Sequence, residues 1–257
     1  MTMHDLFHLF LGALCGGSIG LVLGLVGGGG SILALPMMIY IIGVGNPHIA
    51  IGTSALSVSA NSAMALIHHA RAKTVNWSCG LIFAASGMAG ALVGAKAGMA
   101  VDGQKLLLLF AVIMIVVGVS MLRNRRQDGV VDPKCDRRNA PSVLGIGTAT
   151  GAMSGFFGIG GGFLIVPGLM RATRMRAIDA VGTSLLAVTA FGVTTAASYA
   201  LSGLVDWSLA GAFILGGSAG ATLGTRLSHR FSRSGSLLNV FAGLIFTVAA
   251  YIIFRSL

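Results

Sequence analysis

The stretch "GLVGGGGSILALPMM" (Gly24–Met38) returns later in the chain as "GFFGIGGGFLIVPGLM" (Gly155–Met170), and this pair decides how the sequence is read. In each copy a glycine cluster stands nine residues before a proline, Gly27 before Pro36 and Gly158 before Pro167, inside a strongly apolar segment. Glycine is the poorest helix former after proline, so both clusters interrupt what would otherwise be helix. A phosphate-binding loop would need Lys and Ser/Thr after its last glycine, and neither copy has that lysine. Close helix packing needs one small residue per turn, whereas Gly27–Gly30 strips every side chain from the helix surface. The remaining reading is a backbone opened so that its N–H groups, and the helix starts that follow at Ser31 and Phe163, face a cavity. Such a nest of amides attracts anions without any buried cation.

Composition supplies the setting. The chain has 257 residues, 55% hydrophobic and only 9% charged, with a mean hydropathy of +0.89, far from a soluble domain. Uncharged windows of roughly bilayer length run through Leu6–Val26, Ile49–Ile67, Ser78–Ala95, Leu106–Leu122, Ser142–Met170, Val181–Leu204, Ser208–Thr225 and Leu237–Phe254. The expected fold is therefore an all-α integral membrane protein. Met1–His8 carries no Lys or Arg before the first apolar run, which argues against a signal peptide. The net charge of +10 sits in short loops, where it records cytoplasmic placement and contact with lipid headgroups, not nucleic acid. All seven acidic residues are aspartates in loops or at span ends, so no carboxylate is placed for cation transport. Cys15, Cys79 and Cys135 show no metal or disulfide spacing and are expected as free thiols. Paired carboxylates, a metal-binding helix motif and a nucleophile with its base are all missing, so neither an enzyme nor a cofactor is expected.

Four matched blocks at an offset of about 130 residues divide the chain into two repeats. Beyond the glycine clusters, "AIGTSAL" from Ala50 matches "AVGTSLL" from Ala180, and "VNWS" (Val75–Ser78) matches "VDWS" (Val205–Ser208). "GMAGALVGAKAG" from Gly87 matches "GSAGATLGTRLS" from Gly217. Residues 1–122 form the first membrane repeat, 123–141 a basic cytoplasmic linker and 142–257 the second repeat, each with four apolar segments. If all eight segments crossed, nine basic residues would lie inside and eight outside, almost no bias. If the first segment of each repeat turns back at its glycines, the count becomes fourteen inside and three outside. The positive-inside rule selects this second arrangement, which inverts the repeats and places a site near the midplane between them.

Candidate ligands for an anion follow from the same symmetry. They are the cluster residues Gly27, Gly28, Gly29, Gly30 and Ser31, with Gly158, Gly160, Gly161 and Gly162 opposite them, and the paired hydroxyls Thr53, Ser54, Thr183 and Ser184. Ser57 and Asn61 continue one helix face at helical steps, but their equivalents are Ala187 and Phe191, so the site is expected to be asymmetric. Lys96 and Arg226 are repeat equivalents at span ends, either snorkelling anchors or gates that recruit anions. His68 and His69 could carry protons, although histidines at a span end are commonly just solvated. Trp77 and Trp207 read as interface anchors.

The glycine break ending in proline, the GTS that opens the next helix, the "VDW" and the small-residue third span together resemble the TauE/SafE family of bacterial permeases across nearly the whole chain. The resemblance implies an inner-membrane carrier of sulfite or an organosulfonate, commonly an exporter. The sequence departs from strict symmetry at Ser31, opposite Gly162, and at Gly28, opposite Ile159. The expected function is thus a secondary transporter moving a small inorganic or organosulfur anion by alternating access. An anion channel and a non-transporting scaffold subunit are the competing classes. The small-residue spans would permit a homodimer.

Overall fold

A computed structural model describes residues 3–123, 135, 139–158 and 162–232, with isolated positions 243, 246, 247 and 250. The Leu237–Phe254 window and most of the linker lie outside the described residues. Every long element is a helix. α1 (Met3–Val26) runs into a 3-10 helix over Gly27–Leu33, a short α2 (Ala34–Pro36) and a π-wound stretch over Met37–Ile42. Then follow α3 (Pro47–Arg71), α4 (Trp77–Met99) and α5 (Gly103–Arg123). The second repeat opens with α6 (Ala140–Phe157) and α7 (Gly162–Thr173), followed by α8 (Ala177–Leu201) and α9 (Trp207–Ser232). The single apolar window Ser142–Met170 is therefore two helices. Among the described residues, four helices are long and apolar enough to cross a membrane: Phe7–Val26, α3, α4 and α8.

Both glycine clusters reverse the chain. Gly30 lies against the backbone of Leu23 and Val22 in α1, and Gly168 of α7 lies beside Ile146 and Thr150 of α6. Gly27 and Gly158, repeat equivalents, make the turn with φ of +70° and +64°, a conformation that costs little only for glycine. Two further equivalent pairs share positive φ. Gly43 (+84°) matches Arg174 (+56°), and Gly203 (+70°) matches Lys73 (+56°). In each pair one repeat uses glycine while the other holds a basic residue, at a steric cost of about 1–2 kcal/mol.

The repeats assemble by exchange. α1 packs along α9, and α4 along α6. Both pairs run parallel, because contacts advance together along the two chains. Gly16 meets Phe213, Gly20 meets Gly217 and Gly24 meets Ala221, while Gly90, Gly94 and Gly98 meet Thr148, Ala152 and Phe156. These are backbone-to-backbone contacts of the small-xxx-small kind, suited to a solvent where hydrophobicity cannot drive association. The central helices α3 and α8, which are repeat equivalents, pack antiparallel: Gly52 sits beside Tyr199 and Leu204, Gly192 beside Ser59, and Gly182 beside Thr74. They bury polar groups, including Thr53, Ser54, Asn61, Ser62 and His69 on α3 and Thr183, Ser184 and Thr195 on α8. Outward faces carry the apolar side chains instead, with Leu215 at 75% and Val93 at 69% exposure. Trp77 and Trp207 stand exposed at the first positions of α4 and α9.

Two of the described carboxylates serve helix starts. Asp102 Oδ1 accepts from the amides of Gln104 and Lys105, and Asp206 Oδ1 from Leu209, each capping the helix that follows. One expectation is corrected: Cys79 and Cys135 are joined in a disulfide, leaving Cys15 as the free, buried cysteine. Their separation of 56 residues carries no pairing signature; it is the fold that brings Cys135 to Cys79 at the start of α4.

Gly20→Val should force α1 from α9 by pressing a side chain into the Gly217 carbonyl, costing about 1–3 kcal/mol. Gly211→Ala, on α9 with nothing within 4 Å of the new Cβ, should leave stability unchanged. Melting of both variants in detergent separates the outcomes.

Candidate functional site: the sewn helix breaks

In an uninterrupted helix the amide of Gly28 would return to the carbonyl of Gly24. Here the Gly28 N–H donates to Ser184 Oγ on α8 at 3.1 Å, and that hydroxyl donates onward to the Val181 carbonyl at 2.7 Å. The Gly24 carbonyl lies 3.3 Å from His69 Nε2 on α3. The first break is therefore stitched to both central helices. Ser31 closes the 3-10 turn by donating to the Gly28 carbonyl at 2.8 Å. Unsatisfied backbone in hydrocarbon costs several kcal/mol per group, which explains why these partners are supplied from buried protein.

The second break is built from the equivalent parts. Gly158 N–H donates to the Gly155 carbonyl at 3.3 Å, and the Gly158 carbonyl accepts from Ser54 Oγ at 3.4 Å. Ser54 makes its shorter bond, 2.9 Å, to the Ile51 carbonyl. The two breaks meet where Gly28 faces Gly162, so closely that a Cβ on Gly162 would strike the Gly28 backbone. Gly27, Gly28, Gly30 and Ser31 are all buried. Gly160 and Gly161 lie outside the described residues, and Gly29 falls within the 3-10 turn.

The threonines of the GTS motifs do something different. Thr53 Oγ1 accepts the Asp206 amide at 2.9 Å, and Thr183 Oγ1 accepts the Asn76 amide at 2.9 Å. Each threonine thus fastens the start of the other repeat's third helix, a pair of symmetric clasps. Asn76 and Asp206 are also the capping residues of α4 and α9. The clasps are far apart. Gly182, next to Thr183, lies beside Thr74, some twenty residues along the chain from Thr53 and so on the order of 30 Å away. One small anion cannot touch both threonines. What the fold brings together is each GTS with the opposite repeat, Ser184 with Gly28 and Ser54 with Gly158.

The remaining candidates are placed as follows. Ser57 Oγ donates to the Thr53 carbonyl one turn back, at 2.8 Å. Asn61 Nδ2 donates to the Phe213 carbonyl at 3.3 Å and the side chain packs over Gly217. Its Oδ1 and the Ser62 hydroxyl are buried with no partner among the described residues. Phe191, the equivalent of Asn61, packs over Gly87 instead, so the centre is polar on one side and aromatic on the other. Lys96 and Arg226 are exposed on α4 and α9. At the head of α8, Arg176 pairs with Asp179 at 2.7 and 3.3 Å; this bond first, and the aspartate's charge second, hold the guanidinium above its ordinary range. Among the described residues no cluster could hold a metal ion.

Comparison with known proteins gives the family. The sulfite exporter TauE/SafE family matches residues 12–252. This chain belongs to that family. It is 53% identical over 248 residues to a "Probable membrane transporter protein" of Xylella fastidiosa, covering 94% of this chain and 93% of that one. It is also 27% identical to the "Probable membrane transporter protein YunE" of Bacillus subtilis, covering 84% and 86%. A relative in Methanocaldococcus jannaschii, "Probable membrane transporter protein MJ0441", is 30% identical over 68% of each chain. No solved structure matches. The family and these names describe a multi-pass membrane transporter, not an enzyme.

Two functional elements escape a reading by residue type. The "VNW" and "VDW" motifs look like repeat markers with tryptophan anchors, yet their Asn and Asp are caps whose own amides close the clasps. A polar cap residue before a span start was the available signal. His69, expected in a solvated place at a span end, is instead fully buried.

Removing either clasp hydroxyl leaves a buried amide unpaired, at about 1–3 kcal/mol. Thr53→Val and Thr183→Val should therefore each lower the melting temperature in detergent, whereas Thr→Ser at either position should restore it.

Proposed function

We propose that this chain is a secondary carrier that moves a small sulfur-containing oxyanion, sulfite or an organosulfonate, out of the cell across the inner membrane by alternating access. The observation that carries the reading is the pair of clasps, Thr53 with Asp206 and Thr183 with Asn76, at opposite ends of the α3–α8 pair, with the two glycine breaks meeting between them. A carrier needs two closures, one to each side, and a site that neither closure touches. Both clasps are closed here, as they would be in a carrier shut to both sides. Opening either one frees one end of α4 or α9 while leaving the breaks joined.

The antiparallel packing of α3 on its own equivalent α8 supports the inverted-repeat reading. Orientation follows from charge. Lys73 and Arg174, the two basic residues with positive φ, fall on the cytoplasmic side of the inverted arrangement, and their glycine equivalents Gly203 and Gly43 fall on the other. The steric cost is borne only where a positive charge holds a loop inside. Donors for the anion come from the amides of the breaks, joined by Ser184 at the first break or by Ser54 at the second; the two serines stand too far apart to hold one anion together. Thr53 and Thr183 act at the closures; each accepts one bond and donates none among the described residues. A membrane potential negative inside favours exit of an anion without further coupling.

Purified protein in liposomes should show saturable flux and counterflow of sulfite or an organosulfonate, with acetate excluded. Unsaturable current would mark a channel, and no flux of any tested anion would end the transport reading. Cysteines placed at Arg171 and Ser202, in a background lacking native cysteines, should label from opposite sides of the membrane. Labelling from one side would remove the inversion. Thr53→Val should raise labelling from the Ser202 side and Thr183→Val from the Arg171 side. In spheroplasts, once the Cys79–Cys135 bridge has been opened with a membrane-permeant reductant, an impermeant maleimide should reach Cys135 only after permeabilisation.

A further inference from the structure

We propose that His69 is the proton-binding group of the transport cycle, taking up and releasing one proton beside the first helix break; this rests on the carrier reading above. The imidazole is fully buried on α3, in a fold whose other buried polar side chains among the described residues are hydroxyls, the Asn61 amide and the paired Asp179. Nε2 lies 3.3 Å from the Gly24 carbonyl, and Nδ1 lies 2.9 Å from Thr74 Oγ1. A carbonyl can only accept, so Nε2 carries a hydrogen in either charge state. Nδ1 is different, because a hydroxyl can both donate and accept.

Thr74 supplies the switch. Its hydroxyl also reaches the backbone carbonyl of His69 itself, at 3.1 Å. In the neutral ring, Thr74 O–H donates to Nδ1. When a proton binds at Nδ1, the new N–H donates to Thr74 Oγ1, and the threonine hydrogen turns to the His69 carbonyl. One bond rotation thus serves both charge states, with each buried group satisfied throughout. The charged ring is also favourably placed, since Gly24 lies in the last turn of α1, where the helix dipole presents its negative end.

Ionisable residues of the surrounding elements are His48, His68 and Arg71 on α3, Lys73 in the loop, Arg176, Asp179 and Tyr199 at or on α8, and Arg226, His229 and Arg230 on α9; α1 contributes Asp5, His8 and Cys15. The basic members disfavour a second positive charge, so the proton is held by the α1 terminus and by Thr74, and is released readily. The location gives the proton its effect. Gly24 and Gly28 are the two ends of the bond broken in α1, and Gly28 is held by Ser184, a proposed anion donor. Protonation tightens α3 on one end of the break while placing positive charge next to the site. The second repeat lacks the device: Tyr199 stands opposite His69 and Leu204 opposite Thr74, so the proton acts on one side of the cycle only.

Flux of methanesulfonate, whose charge does not change between pH 5 and 8, tests this in liposomes with equal pH on both sides. Wild-type flux should change about tenfold per pH unit on one limb of its profile, as one titrating imidazole requires. His69→Gln should flatten the profile to within about twofold while counterflow persists. Thr74→Ser should keep the response and Thr74→Val should lose it. A His69→Gln profile equal to wild type overturns the proposal. Nitrogen NMR of histidine-labelled protein gives a readout independent of transport, with the His69 signals assigned by their shift in Thr74→Val. Nε2 should stay protonated while Nδ1 gains a proton between pH 8 and pH 5. A ring that keeps one neutral tautomer over that range overturns the proposal even if no substrate is found.

Discussion

A backbone amide inside a membrane must find a partner within the protein, and everything distinctive here follows from breaking α1 under that constraint. Four consecutive glycines end the helix, but ending it separates the Gly24 carbonyl from the Gly28 amide. Ser184 receives the amide and His69 approaches the carbonyl. Those residues sit on α8 and α3, so the repair of one break ties together the two central helices of different repeats. A break of this kind is tolerable only when buried, which is why the clusters face each other at Gly28 and Gly162 and not the lipid. The rest of the packing serves this meeting. The glycine-lined pairs α1 with α9 and α4 with α6 bring backbones into contact and hold both breaks at the same centre.

Much of this was legible in the sequence because symmetry leaves a double record. A glycine run alone could be a packing notch, but a second copy with its proline at the same spacing could not be accidental. Charge counting then carried information that hydropathy lacked, and the reversal of the chain at both clusters agrees with it. Equivalent positions recur even in backbone conformation, where Gly43 with Arg174 and Gly203 with Lys73 share the left-handed region. The glycine surfaces were visible only in part. Gly90, Gly94 and Gly98 showed their spacing, whereas the partners along α6 and the α1–α9 seam depend on which helices exchange, and local spacing does not encode that.

The site was less legible, for a reason specific to membrane interiors. A polar residue there always bonds something, and sequence gives its type but not its partner. Thr53 and Ser54 are neighbours of equal chemistry, yet one fastens the amide of Asp206 while the other reaches the opposing glycine turn. Pairing the GTS motifs with each other was natural from symmetry. In the fold, symmetry pairs each motif with the opposite repeat instead, because α3 and α8 run antiparallel and carry their motifs to opposite ends. The disulfide between Cys79 and Cys135 was hidden in the same way, because no spacing rule pairs two cysteines 56 residues apart.

Near-symmetry also limits what such a machine can do. Two identical halves would give inward-open and outward-open states of equal energy, and nothing but the gradients would bias them. The departures from symmetry cluster where a bias would be set. Asn61 faces the centre from one repeat and Phe191 from the other, and His69 with Thr74 stands where the second repeat has Tyr199 and Leu204. Breaks and clasps are duplicated, as the two closures of a carrier require. Asn61 and the His69–Thr74 pair are not duplicated, and a preferred direction needs such a difference. In the proposed carrier the duplicated parts would supply alternation, while the unmatched residues would supply its bias.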